Sequence, residues 1–220
     1  MSESFEPQTE LHLKKTRESL HAEFDELRSP EDVDAVLDDS IAHIRSESGF
    51  DDYVPALAER LARERLKAAA QTAGMLGKDV PEVLFLALHD TGRGQMGAAI
   101  MRSLAGDRVS VHSAGTGGGR APVDPGVATA MGEIGIDLED AYSKPLTPEV
   151  LAAADVVVTM GRSTGDVSIP EGTRHVDWRI GDPGGGAPLD EVRHIRDDIR
   201  ARVERLLAEL AQSESEGRST

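Results

Sequence analysis

The sequence predicts an α/β domain, a parallel four-stranded sheet flanked by helices, preceded by a small all-α bundle of three helices. Two observations carry that expectation. From residue 81 onward, short apolar runs alternate with helical patterns in the order βαβα, as in a parallel sheet covered by helices. Before residue 74 there is no such run, and apolar residues recur at three- and four-residue spacing instead. The expected divisions are a three-helix bundle over 1–79, the α/β domain over 80–211, and a disordered polar tail over 212–220 (QSESEGRST).

The first helix carries Leu13, Leu20, Phe24 and Leu27 within a polar sequence. The second opens with Ser29-Pro30-Glu31-Asp32: a capping hydroxyl, proline at the first helical position, then acids favoured by the helix dipole. Its stripe is Val33, Leu37, Ile41 and Ile44. The third starts after Asp51 or Asp52 and carries Val54, Leu57, Leu61 and Leu66, with small Ala58 and Ala62 between. A bundle below ~70–80 residues has a small core and gains from a partner. We therefore expect it to form a homodimer interface.

A linker, Gly74–Val80, leads to strand Val83–Leu88, helix Gln95–Leu104 ending at Gly106, strand Arg108–Ser113 and helix Val123–Ile134. Helix Pro148–Ala154, strand Val156–Met160, an edge or final strand Arg174–Trp178 and a long amphipathic helix Leu189–Leu210 complete the chain.

Bulk composition excludes several functions. With 40 acids against 24 bases the net charge is −16, which argues against a nucleic acid or an anionic membrane as partner. The longest apolar run, Val83–Leu88, is too short to span a bilayer. The N-terminus reads MSESFEPQTE and shows no signal peptide, so a cytoplasmic location is expected. There is no cysteine, which removes disulfides, thiolate metal sites and thiol catalysis. The seven histidines show no metal-ligand spacing, and no cofactor or metal is expected.

The stretch "VLFLALHDTGRGQMGAAI" (Val83–Ile100) holds the candidate site. An apolar strand stops at a turn containing Gly92, Arg93 and Gly94, and a helix follows. That layout can cradle an anion on backbone amides at a helix N-terminus, with arginine as a bidentate clamp. The residues expected to hold an anion are Leu88, His89, Asp90, Thr91, Gly92, Arg93 and Gly94. The same glycines match G-x-G-x-x-G (Gly92, Gly94, Gly97). A dinucleotide site would also need an acid ending the next strand, where the chain reads His112-Ser113-Ala114-Gly115. No G-K-[ST] of a Walker-type loop occurs.

From Ala87 to Arg93 the spacing is that of C-x5-R, with alanine in place of cysteine. "HSAGTGGG" (His112–Gly119), "EIGIDL…SKPLT" (Glu133–Thr147), "ADVVVTMG" (Ala154–Gly161), "DWRIGDP" (Asp177–Pro183) and "VRHIRDDIRARVERLL" (Val192–Leu207) follow in order. On these motifs residues 81–210 resemble the low-molecular-weight protein tyrosine phosphatase family, nearest its thioredoxin- or mycothiol-linked arsenate reductase branch. "YVPALAERLARERL" (Tyr53–Leu66) resembles the three-helix extension ahead of some actinobacterial members, where it is associated with self-association.

The resemblance implies a thiolate nucleophile at the position of Ala87 and a general acid at that of Asp182. Alanine offers no lone pair, and removing a catalytic nucleophile can cost on the order of 10⁶ in rate. Three more departures from the family pattern touch the same chemistry. Asp90 replaces the loop asparagine, Gly94 the hydroxyl residue that would support the thiolate, and Arg162 the second cysteine of thioredoxin-linked reductases.

The resemblance thus implies a catalytically inactive relative with no catalytic residue in use, and an oxyanion-binding or regulatory role. Phosphate, arsenate or sulfate would be the ligand. The alternative is a residual phosphatase or arsenate reductase using water or His89 as nucleophile. For Asp90 two outcomes stay open. A carboxylate ~4 Å from the anion would weaken binding, by ~1 kcal/mol in water or ~4 kcal/mol at an effective dielectric of 20. Otherwise it turns away, or pairs with Arg93 and fills the cradle.

Overall fold

The three expected N-terminal helices are α1 (Pro7–Phe24), α2 (Pro30–Glu47) and α3 (Val54–Thr72) in a computed structural model that describes residues 5–47, 53–117, 122–161, 167–182 and 184–217. Then come β1 (Glu82–Ala87), α4 (Arg93–Ala105), β2 (Ser110–Gly115), α5 (Pro125–Gly132), α6 (Pro148–Ala153), β3 (Val156–Thr159), β4 (Arg174–Asp177) and α7 (Leu189–Gly217). Asp51, Asp52, Gly118, Gly119, Arg162 and Pro183, named above, lie outside the described residues. The chain divides into two units, Met1–Lys78 with Thr147–Ala153, and Asp79–Leu146 with Ala154–Thr220.

In the first unit the cap before α2 forms as its sequence implies, with the Asp32 amide donating to Ser29 Oγ at 3.1 Å. Leu20, Phe24, Val33, Leu37, Ala62 and Leu66 make its core, with Leu27, Val36 and Ile41 packed at the margin. Short α6 packs on α3 in this unit although it follows the start of the sheet in sequence. Arg65 holds it there. Its side chain is 9% exposed, and the guanidinium donates to Glu149 Oε1 at 3.0 Å, Asp39 Oδ2 at 2.6 Å and Ser40 Oγ at 3.2 Å.

In the second unit all four strands run parallel in the order β2-β1-β3-β4, so β4 is an edge as expected. β1 lies between two neighbours, which is why its residues are buried throughout and read as a continuous apolar run. Val83, Phe85 and Ala87 of β1, with Val156 and Val158 of β3, pack against α4, α5 and α7. All four strands point their C-terminal ends the same way, and the loop after β1 emerges there.

Most element boundaries differ from expectation by a residue or two, and three shifts have a visible cause. β2 begins at Ser110 rather than Arg108 because residues 106–108 form one 3-10 turn. Arg108 folds back there and donates to the Leu104 and Ala105 carbonyls that end α4. α5 starts at Pro125, after Asp124 Oδ1 accepts from the Gly126 and Val127 amides at 2.8 and 3.3 Å. The last helix continues through Gly217, so residues 212–217 are helical and not the disordered tail expected. Between Leu189 and Gly217 no glycine or proline interrupts it, and Ser213 Oγ bonds back to the Glu209 carbonyl.

Candidate functional site

The loop leaves β1 at Ala87, turns through residues 88–92 and enters α4 at Arg93. Its carbonyls are tied to neighbouring segments. Ala87 O accepts from the Thr116 amide at 3.0 Å and Leu88 O from the Gly117 amide at 2.7 Å. His89 O accepts from Ser143 Oγ at 2.6 Å, and Thr91 O from the Asp124 amide at 2.9 Å. In a trans peptide the N–H points opposite to the C=O. The amides of Leu88, His89, Asp90 and Gly92 are therefore directed away from those segments. They join the first amides of α4, which have no intrahelical acceptor.

Asp90 is fully buried, and its backbone is left-handed at φ +50°. Aspartate tolerates that region because its short polar side chain bonds locally. Here Oδ2 accepts from Gln95 Nε2 at 2.9 Å, Ser113 Oγ at 3.2 Å and the Lys144 amide at 3.2 Å. Gln95 Nε2 also reaches the Tyr142 carbonyl at 2.9 Å. Gly94 makes room for this carboxylate, since a Cβ there would lie 2.9 Å from Asp90 Oδ1. The glycine that departs from the family pattern is thus matched to the aspartate that does.

Of the alternatives open for Asp90, the carboxylate takes the one of turning away, onto Gln95, Ser113 and the Lys144 amide. Arg93 points elsewhere, donating from Nη1 to the Ile180 carbonyl at 2.7 Å and from Nη2 to Asp182 Oδ2 at 2.5 Å. Its side chain is 5% exposed, that of Asp182 58%. The guanidinium passes over Gly161, whose φ of +97° suits glycine and where a Cβ would sit 2.9 Å from Nη1.

Ala87 through Arg93 line a cleft of about 420 Å³. Met96, Pro122, Pro125 and Val127 add apolar wall, and Asp124 and Asp182 add carboxylates. Of the seven residues expected around an anion, Leu88 to Gly92 form the loop and Arg93 opens α4, all six lining the cleft with Asp182, while Gly94 lies in the first turn of α4 and does not line it. His89 is exposed and offers the sole imidazole among the described lining residues. Among the described residues no group of three or more histidines, aspartates or glutamates could hold a metal ion. No described helix is long and apolar enough to cross a membrane.

Sequence reasoning missed Gln95, Ser113, Ser143, Gly161 and the Ile180 carbonyl. Each lies within or beside a motif singled out above, but nothing in those motifs says which atom meets which.

Residues 82–216 match the family described as low molecular weight phosphotyrosine protein phosphatase, and residues 13–70 match a protein-tyrosine-phosphatase-like N-terminal domain. An arsenate reductase of Halalkalibacterium halodurans is 33% identical over 128 residues, spanning 55% of this chain and 91% of that protein. The solved thioredoxin-dependent arsenate reductase of Corynebacterium glutamicum is 30% identical with a TM-score of 0.81, spanning 91% of this chain and 97% of that one. An arsenate reductase solved in a phosphate-binding state is 28% identical with a TM-score of 0.52, spanning 60% of this chain and 99% of its own. Together with the loop geometry, these matches place the chain in the low molecular weight phosphotyrosine protein phosphatase family, with a protein-tyrosine-phosphatase-like domain ahead of it.

Proposed function

We propose that this chain binds an oxyanion in the loop Leu88–Gly94 without turning it over, and acts as a self-associating regulatory member of its family. One observation carries the reading: β1 delivers Ala87 to the head of a loop that keeps its arginine and backbone amides, in a chain with no cysteine. The cradle survives and the nucleophile does not. Arg93, buried at the cleft, supplies the cation, and the amides freed by the tied carbonyls supply donors. The phosphate-binding state solved for a related arsenate reductase supports an oxyanion as ligand. The small core of that unit supports self-association through α1–α3.

The test is a thermal-shift titration with phosphate, arsenate and sulfate on the wild type and Arg93→Ala, beside assays of aryl phosphate hydrolysis and arsenate reduction. A dose-dependent rise in the wild type alone, with no turnover, is expected. Turnover that Arg93→Ala abolishes would establish an enzyme with a non-cysteine nucleophile. Sedimentation of the full chain at micromolar concentration should show a dimer, and a monomer removes the self-association reading.

A further inference from the structure

We infer that the ligand of this cleft is a zwitterion, an oxyanion carrying an ammonium or guanidinium group a few bonds away, and that Asp182 selects it. The inference rests on the oxyanion reading above and adds what else the ligand must bring.

Among the described residues lining the cleft, Arg93 is the only arginine or lysine. It is already engaged on both terminal nitrogens, by the Ile180 carbonyl and by Asp182. An oxyanion that lands on Arg93 therefore shares one guanidinium with a carboxylate. A plain anion meets like charge at that point, and the second carboxylate in the wall, Asp124, adds to it. The chain's net charge of −16 repels anions further.

The same arrangement favours a ligand that carries its own cation. The Asp182 side chain is 58% exposed, and its Oδ1 accepts from the nearby Gly184 amide at 3.1 Å. An ammonium can reach it without displacing a buried group. Asp124 spends Oδ1 on the amides that begin α5 and also lines the wall. The cleft thus sets loop amides and a guanidinium beside the carboxylates of Asp182 and Asp124 at its side, with the Asp90 carboxylate buried within the loop and turned onto its own donors.

Size agrees with this. About 420 Å³ is far more than a tetrahedral oxyanion fills, given that a water occupies about 30 Å³ of the liquid. Leu88 and the exposed Pro122 and Pro125 offer apolar surface on which methylenes joining the two charges can lie.

The experiment compares phosphoethanolamine with propyl phosphate, which puts a methyl in place of the ammonium, and with inorganic phosphate. Calorimetric titration is done on the full-length wild type, Asp182→Asn and Asp182→Ala. The wild type should bind phosphoethanolamine about five-fold tighter than propyl phosphate, the size of a partly exposed ion pair. Both variants should lose that preference and bind propyl phosphate more tightly than the wild type does. Equal wild-type affinity for the two esters overturns the inference while leaving oxyanion binding standing. A preference that survives in both variants overturns the role of Asp182. If no phosphate compound binds the wild type or Asp182→Asn, the oxyanion reading itself falls, and this inference with it.

Discussion

Replacing Asp90 separates two explanations for a carboxylate inside an anion-binding loop. The structure makes it a fastener. Its Oδ2 collects three donors, from Gln95, Ser113 and the Lys144 amide, at 2.9, 3.2 and 3.2 Å. Asparagine can set its amide oxygen in the same place, keep all three bonds and hold the left-handed backbone. Alanine can do none of this. Leaving three buried donors without an acceptor costs about 1 kcal/mol each, taking the low end for the longer bonds. The left-handed backbone adds about 1 kcal/mol for alanine. Relief from burying a carboxylate returns about 1 kcal/mol.

Asp90→Ala should therefore lose about 3 kcal/mol, a Tm drop of roughly 12 °C at about 4 °C per kcal/mol for a unit of this size. Asp90→Asn should stay within about 1 kcal/mol of the wild type. Urea denaturation with unchanged m-values, followed by circular dichroism, reads both. An alanine variant as stable as the wild type would refute the fastener. An asparagine variant as weak as alanine would mean that charge, and not hydrogen-bond geometry, holds the loop.

Three further outcomes are expected. Gly161→Ala introduces a Cβ 2.9 Å from Arg93 Nη1 at a φ of +97°, so it should destabilise by about 2 kcal/mol and abolish the phosphate-induced thermal shift. A retained shift would show that Arg93 does not depend on that clearance. In the helical unit, Arg65→Ala should cost about 2 kcal/mol. That is less than the 3–5 kcal/mol typical of broken buried pairs, because Glu149 and Asp39 regain water at 22% and 69% exposure. Arg65→Ala and Glu149→Gln should be non-additive, and additivity in denaturation would mean the pair contributes nothing. The same pair sets a pH dependence. Burial works against the charged Glu149, but hydrogen bonds from Arg65 and the attraction of its guanidinium hold the carboxyl below the ordinary glutamate value. A depressed folded pKa stabilises above the unfolded value of about 4.3 and is lost as pH falls through the folded one. Wild-type Tm should fall more steeply than that of Glu149→Gln below about pH 4.3, and parallel curves would contradict it.

What the sequence alone determined is local. The Ser29 cap, the apolar stripe of α2, the continuous run of β1 and the Gly106 stop each depend on residues a few positions apart, within reach of backbone periodicity and steric preference. The spacing from Ala87 to Arg93 belongs to the same class, so the loop and its missing nucleophile could be read directly. The tertiary structure alone decided which groups meet across the chain. Arg93 finds Asp182 89 residues away, Asp90 finds the Lys144 amide 54 residues away, and Glu149 joins Arg65 across 84 residues in the unit that its sequence neighbours do not share. Such pairings depend on strand order and on where each loop closes, and no local period encodes them. A carboxylate that looked like an obstacle to an anion became a fastener because its partners lie on β2, on α4 and in the segment before α6.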